Sequence, residues 1–384
     1  MSRPTQPGQI GSRLESQSTQ GSLLVRAARG LNLDPPLLIG LLLTTIAGLF
    51  VLYSASGESI DMVQRQAIRI GIGFCALIVA AQFSSHTLRL WTPWLYLAGV
   101  VALLLVMFTG ETVMGAQRWL DLGFISVQPS ELLKIGMPMM IAWYFHDRPL
   151  PPRARDLLVA LVLLMVPVLL IAEQPDLGTA VLVASAGGFA IYLSGVRWRV
   201  ILLAFGALVA AAWPVYRFLL HDYQRERILT FLNPERDPLG AGYHIIQSKI
   251  AVGSGGLFGK GWLNGTQSQL DFLPERHTDF IFAVLAEELG LIGILVLLLM
   301  YSFLIGRGLQ LALRAEKTYE RLLGGALAFT FFVYVFVNIG MVCGILPVVG
   351  VPLPLISYGG TSMVTLLTGF GILMSLNSGR SYIR

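Results

Sequence analysis

Charge is scarce in this sequence: 13% of its 384 residues are Asp, Glu, Lys or Arg, against 55% hydrophobic. That balance excludes a soluble fold around one core, because a chain of this size has too little polar surface to cover so much apolar material. The two cysteines, Cys75 and Cys343, both lie in apolar segments, which excludes a disulfide framework and a cysteine-built metal site. Histidine is nearly as rare, and His277 has no second histidine at ligand spacing, so a metal role for it is not expected. The net charge of +5 is spread over short loops rather than gathered on one face, which removes nucleic acid as a partner. Residues 1–35 lack the short apolar core and small-residue cleavage site of a signal peptide; rich in Ser, Gln and Gly, they are expected to form a disordered cytoplasmic tail ahead of one transmembrane domain, 36–384.

What the sequence does have is apolar blocks of about 20 residues, the length that crosses a bilayer. They fall at 37–54, 67–82, 89–109, 131–146, 156–172, 177–195, 199–220, 278–306, 322–345 and 354–376, which predicts an all-α polytopic membrane protein of about ten transmembrane helices. Alternate short loops carry Arg89, then Arg148, Arg153 and Arg155, then Arg197 and Arg199, then Arg314, Lys317 and Arg321; the opposite set holds Arg65, Arg69 and Arg118. By the positive-inside rule the first set is cytoplasmic, as are both termini, and parity places the large 221–277 loop between helices 7 and 8 outside. Trp91, Trp94, Trp143, Trp198 and Trp213 fall near predicted helix ends, as an interfacial belt requires.

An ionisable residue inside a bilayer is costly, so each one is a candidate for function. In the run QPSELLK, Pro129 suits a first helical turn, and Glu131 and Lys134, three apart, share one face. They form either an ion pair that ties the bundle or the lining of a polar cavity. Upstream, GAQRWLDLG sets Arg118 and Asp121 beside Trp119 in an outer loop that turns back toward the membrane. An arginine there is either interfacial or placed for an anionic headgroup. Glu173 and Asp176 bracket a turn, where solvated carboxylates are ordinary. Pro347, Pro352 and Pro354 followed by Gly359 and Gly360 cannot form a regular helix, and irregular backbone at membrane depth must lie inside protein or beside a polar cavity. A re-entrant loop covering the site, before helix 10, is the expected outcome.

The run GSGGLFGKG is not a phosphate loop: Ser254 stands at the first glycine position of GxxxxGK[ST] and Gly261 at the hydroxyl position. It is either a flexible connector or a place where backbone approaches a ligand closely, with Lys249 and Lys260 adding positive charge. Asp279 follows Pro274, Glu275, Arg276, His277 and Thr278 and precedes an apolar helix. There it is either a helix cap or a carboxylate whose partly dry surroundings raise its pKa and make it a proton acceptor near neutrality. Glu287 and Glu288, about two turns deeper, need partners.

The series GAQRWLDLG, QPSELLK, EQPDLGTA, GYHIIQSKIAVGSGG, GKGWLNGTQSQLDFLPERHTDFIFAVLAEELG and PLPLISYGGTS resembles the SEDS family of shape, elongation, division and sporulation proteins, and its elongation branch more than its division branch. The resemblance covers the chain from about residue 35 to the C-terminus. It implies a multi-pass protein of the bacterial cytoplasmic (inner) membrane, a peptidoglycan glycosyltransferase polymerising lipid II, an undecaprenyl-pyrophosphate-linked disaccharide-pentapeptide, during elongation and rod-shape maintenance. It also implies a class B penicillin-binding protein transpeptidase as partner. Carried over by motif, the family's essential aspartate falls on Asp279 and its cavity residues on Arg118, Glu131 and Lys134. Lys249, Lys260 and His277 are further substrate-binding candidates, and a divalent cation, Mg2+ or Mn2+, is one more way to steady a leaving diphosphate. Two other classes fit the same sequence: a lipid II flippase using the Glu131–Lys134 cavity as a path, and a non-catalytic scaffold for the transpeptidase.

Overall fold

The computed structural model describes residues 31–113, 116–121, 126–219, 222–236, 240–270, 272–273 and 275–376. Most of the expected N-terminal tail lies outside the described residues. All ten expected spans are helices: α1 Pro35–Ala55, α2 Ile60–Gln82, α3 Ser85–Thr109, α4 Pro129–His146, α5 Ala154–Glu173, α6 Leu177–Leu193, α7 Trp198–Pro214, α11 Ile281–Arg314, α12 Thr318–Val342 and α13 Thr361–Ser375. Seven of the described helices are long and apolar enough to cross a membrane; α6 and α13 are apolar but shorter, and α4 carries Glu131 and Lys134. Local signals set the starts. The Asp34 side chain accepts from Leu37 N (3.0 Å) ahead of two prolines in the first turn of α1, and Ser59, Ser84 and Asp176 cap α2, α3 and α6 in the same way.

Two regions differ from expectation. Between α3 and α4 the connection is a small antiparallel sheet, β1 Glu111–Val113, β2 Ala116–Asp121 and β3 Ser126–Val127, in the order β1-β2-β3 with Glu111 opposite Trp119 and Leu120 opposite Val127. The long 221–277 segment contains helices α8 Asp222–Leu232, α9 Ala241–Ser254 and α10 Thr266–Gln269. In α9, Ile245, Ser248 and Ala251 recur at helical spacing and are buried, so this helix packs on the bundle rather than looping away.

The helices share two large cores and a smaller one around Tyr334. The first is built from α1, α2, α11, α12 and α13, the second mainly from α3, α4, α5, α6 and α12, with Ala80 of α2 and Ile372 of α13; α12 contributes to all three and is the most buried of the long spans. At one end of the bundle Arg307, late in α11, pairs with Asp34 at the start of α1 (2.8 Å). The start of α11 therefore lies at the opposite end, together with the start of α2 and the loop before α13.

Helix α11 is broken at Gly290 (φ 63°, ψ −160°), and the glycine-rich run fills the break. Lys260 N and Gly261 N donate to the carbonyls of Glu287 and Glu288 (3.0 Å each), while Leu291 N and Ile292 N donate to those of Gly256 and Leu257 (3.0 and 3.2 Å). Groups that the break frees are thus matched by backbone from elsewhere in the chain, as polar backbone inside a membrane protein requires. Gly259 (φ 78°) permits the approach, because a Cβ there would collide with the Glu288 carbonyl. The close approach that Gly255 and Gly259 permit is to the backbone of α11. The two deep carboxylates complete the fastening: Glu287 accepts from Lys260 Nζ (2.6 Å), Thr266 Oγ1 (3.0 Å) and Gln267 N (3.1 Å), and Glu288 from the Ser54 hydroxyl of α1.

Candidate active site

Asp279 stands in a turn, with Thr278 N and Phe280 N both donating to the Glu275 carbonyl (3.0 and 3.3 Å), and the helix proper begins at Ile281. Its carboxylate is not the helix cap. The turn is fixed from two sides. Asn338, fully buried in α12, donates its amide to the carbonyls of Asp279 (2.9 Å) and Val351 (2.8 Å). Ser357 Oγ donates to Thr278 O (2.6 Å) while accepting from Leu353 N (2.8 Å), and Tyr358 N donates to His277 O (2.9 Å). Gln66 of α2, also buried, holds the same loop by donating to Ser357 O (3.2 Å) and accepting from Gly359 N (3.3 Å). The Pro/Gly-rich segment is therefore non-helical, as its prolines required, and is bonded to the 277–279 turn. Gly350 (φ 73°) faces the aspartate, where a Cβ would lie 3.6 Å from Oδ2. Burial, and after it the negative charge of Glu275, pushes the Asp279 carboxyl up from the ordinary value of 3.8 to about 6.

The Lys134 ammonium donates to Glu131 Oε1 (2.6 Å) and sits 5.3 Å from the centre of the Tyr334 ring; all three residues are buried, and Glu131 Oε2 has no hydrogen-bond partner among the described residues. Arg118, on β2, donates to the Gln174 carbonyl (3.4 Å) and to that of Pro175, and its guanidinium is 3.9 Å from Asp176. Asp176 is not an ordinary solvated turn residue: it is buried, accepts from Gln128 Nε2 (3.0 Å) and caps α6 at Thr179 N (3.2 Å).

These groups form one constellation because α12 joins them. Thr330, Tyr334 and Asn338 recur every four residues, on one face, so the ring beneath Lys134 and the amide that holds Asp279 are one turn apart, about 6 Å along the axis. From the other side, Gly178 at the start of α6 lies so close to the Val349 carbonyl that a Cβ would collide with it, and Val351 packs with Tyr334. Asp176, Tyr334 and Asp279 thus border the same short stretch, 349–351.

The other candidates are placed differently. Lys260 is turned to Glu287 and Thr266. Lys249 lies along Gly344, at the foot of the covering loop. The His277 ring meets Tyr358 edge-on at 6.0 Å. Among the described residues no three of His, Cys, Asp or Glu come together to hold a metal ion. Sequence reasoning missed Gln66, Asn338 and Ser357. Asn338 could have been found by the rule already applied to charges: it is a lone amide in the apolar run FVYVFVNIGMV.

A bundle of long apolar helices, with the Asp279 turn fastened to α12 one turn from the ring that meets the buried Lys134–Glu131 pair, defines a polytopic membrane protein. The chain belongs to the FtsW/RodA/SpoVE cell cycle protein family, whose model matches residues 36–382. It is 54% identical over 353 residues to the peptidoglycan glycosyltransferase MrdB of Escherichia coli K12, covering 92% of this chain and 95% of that one. Among solved structures it is similar to the rod shape determining protein RodA of Thermus thermophilus (TM-score 0.68, 30% identity, 89% of this chain and 96% of that one). It is also similar to a chain from the structure reported as "Structural coordination of polymerization and crosslinking by a peptidoglycan synthase complex" (TM-score 0.78, 34% identity, 91% of this chain and 98% of that one).

Proposed function

We infer that this protein is a peptidoglycan glycosyltransferase of the RodA type, polymerising lipid II into glycan strands with Asp279 as general base. The observation that carries the base assignment is the Asp279 carboxyl itself: partly buried, pushed up to about 6, and fixed through its own backbone by Asn338 and through its neighbours by the covering loop. A carboxylate with a pKa just below the working pH is ionised yet still basic enough to take a proton. Asp279 removes the proton of the acceptor sugar's 4-hydroxyl, and that oxygen attacks the anomeric carbon of the donor. The bond from carbon to the diphosphate oxygen breaks, and undecaprenyl diphosphate leaves with the electron pair. One displacement converts the donor's α linkage to a β linkage, so no enzyme nucleophile is needed.

Lys134 and Arg118 favour negative charge near the reacting groups, and Glu131 holds Lys134 in place. The arginine-rich alternate loops support cytoplasmic termini in the inner membrane, with the Asp279 end facing outward. A class B penicillin-binding protein transpeptidase is the proposed partner. Strand synthesis from lipid II by the reconstituted complex, read on gels, tests the reading. Loss of strands in Asp279→Ala and Asp279→Asn is expected; undiminished synthesis by Asp279→Asn would overturn the base assignment, and no synthesis by the native complex would overturn the activity.

A further inference from the structure

The proposed reaction expels a diphosphate, and most of the cations read from the sequence are already committed. Lys134 is paired with Glu131, Lys260 with Glu287, and Arg118 is spent on two carbonyls beside Asp176. Each carries a neighbouring carboxylate that offsets part of its charge. Arg69 differs. It lies on α2, three residues after the clamp residue Gln66, and among the described residues no carboxylate is within ion-pairing distance of it. Its guanidinium carbon sits 4.4 Å over the centre of the Tyr358 ring, and Gly360 leaves room for it, since a Cβ there would be 3.4 Å from Arg69 Nε. Tyr358 N in turn donates to His277 O, two residues before Asp279. An arginine with no ion-pair partner among the described residues thus sits over a ring of the loop that is bonded to the Asp279 turn.

The surroundings specify the ligand further. Ile68 and Ile72, on either side of Arg69 in sequence, are 63% and 55% exposed, and in a membrane such residues face lipid. The cation therefore stands where the lipid-facing side of α2 meets the covering loop. We propose that Arg69, seated on Tyr358, is the subsite for the diphosphate of a prenyl diphosphate, whose chain runs along the exposed isoleucines of α2. The proposal rests on the glycosyltransferase reading and adds to it where the leaving group is received. A planar guanidinium pairs with phosphate oxygens two at a time, which a lysine ammonium at the same place would not reproduce.

The test measures binding apart from turnover. The full-length protein is placed in nanodiscs of neutral lipid and titrated with farnesyl diphosphate, with farnesyl monophosphate and with nanodiscs doped with phosphatidylglycerol as comparison arms. Arg69→Gln is expected to weaken farnesyl diphosphate binding by roughly ten- to a hundredfold, the loss of one charge-assisted pair, and Arg69→Lys by less. Phosphatidylglycerol association should be unchanged, and Asp279→Asn should bind farnesyl diphosphate like the native protein while making no strands. Native-like diphosphate binding by Arg69→Gln would overturn the proposal, as would an equal loss of diphosphate and phosphatidylglycerol binding, which would make Arg69 a headgroup anchor. Strand synthesis by Asp279→Asn would instead overturn the base assignment and leave the binding result standing.

Discussion

Replacing Asp279 by Asn should abolish turnover and at the same time stabilise the protein, and the size of the gain should depend on pH in a definite direction. The folded protein holds the Asp279 carboxyl at about 6 against 3.8 for the free group. A raised acid pKa means that the fold disfavours the charged form, so the stability linked to the proton is fully present below pH ~4 and is lost as pH rises toward ~6. The rise in pKa from 3.8 to about 6 corresponds to up to ~3 kcal/mol, less whatever solvent screens at this partly exposed side chain. The Asn variant never ionises and so avoids the cost. Thermal unfolding in detergent is therefore expected to show Asp279→Asn above the native protein at pH 7.5 and level with it near pH 4. Glu275→Gln provides a cross-check, because Glu275 is the charge that adds to the rise. In that variant the midpoint of the pH–rate curve should move down from about 6, with more activity retained at pH 5. A stability difference between Asp279→Asn and native protein that does not vary with pH, or an upward shift in Glu275→Gln, would refute the argument.

Three further outcomes follow from the polar fasteners. Gly259→Ala would drive a methyl into the Glu288 carbonyl at a residue with φ 78° and part Lys260 N and Gly261 N from α11; each buried backbone group left unpaired costs ~1–3 kcal/mol, so the yield of monodisperse protein should collapse. Lys260→Met strands the fully buried Glu287 carboxylate and should cost about 3–5 kcal/mol, most of it recovered in the double variant Lys260→Met with Glu287→Gln; unfolding temperatures of the three proteins decide this. Asn338→Leu keeps the volume but leaves the carbonyls of Asp279 and Val351 without a donor; kcat should fall about a hundredfold with KM little changed, and an unaltered kcat would show that the amide does not position the base.

The spans were legible in the sequence because each is a block of apolar residues, several with a start signal of their own, Asp34 before two prolines or Ser59 and Ser84 before α2 and α3. Asp279, Glu131 and Lys134 stood out as candidates because charge beside or within apolar blocks is conspicuous. What could not be read was pairing. Gln66 is one polar residue among many in the α2 sequence, and only the fold sets it against Ser357, 291 residues away. The glycine-rich run misled for the same reason: glycine reports that something comes close, and the sequence does not say whether that is a ligand or another turn of the same chain. The small sheet at 111–127 was hidden because its strands are too short to show a clear alternation.

Within a bilayer, apolar contacts between helices do little to choose one register over another, since lipid chains offer an equivalent surface. The position of a catalytic group must then be set by polar bonds that cannot be made elsewhere. Helix α11 shows this along its length: Arg307 to Asp34 near one end, Glu287 and Glu288 to the glycine-rich loop and α1 about two turns from the other, and Asn338 and Ser357 on the turn that precedes it. The break at Gly290 belongs to the same scheme. An unbroken helix would have no spare backbone groups to bond, whereas the broken one takes four hydrogen bonds from the 256–261 backbone and so fixes its own depth relative to α9 and α1. Asp279 lies about three turns from that break, and the proposed role as general base tolerates errors of well under 1 Å in its reach to a sugar hydroxyl. On that proposal the buried glutamates act on catalysis through the position of the aspartate: weakening them should shift Asp279 before it unfolds the bundle.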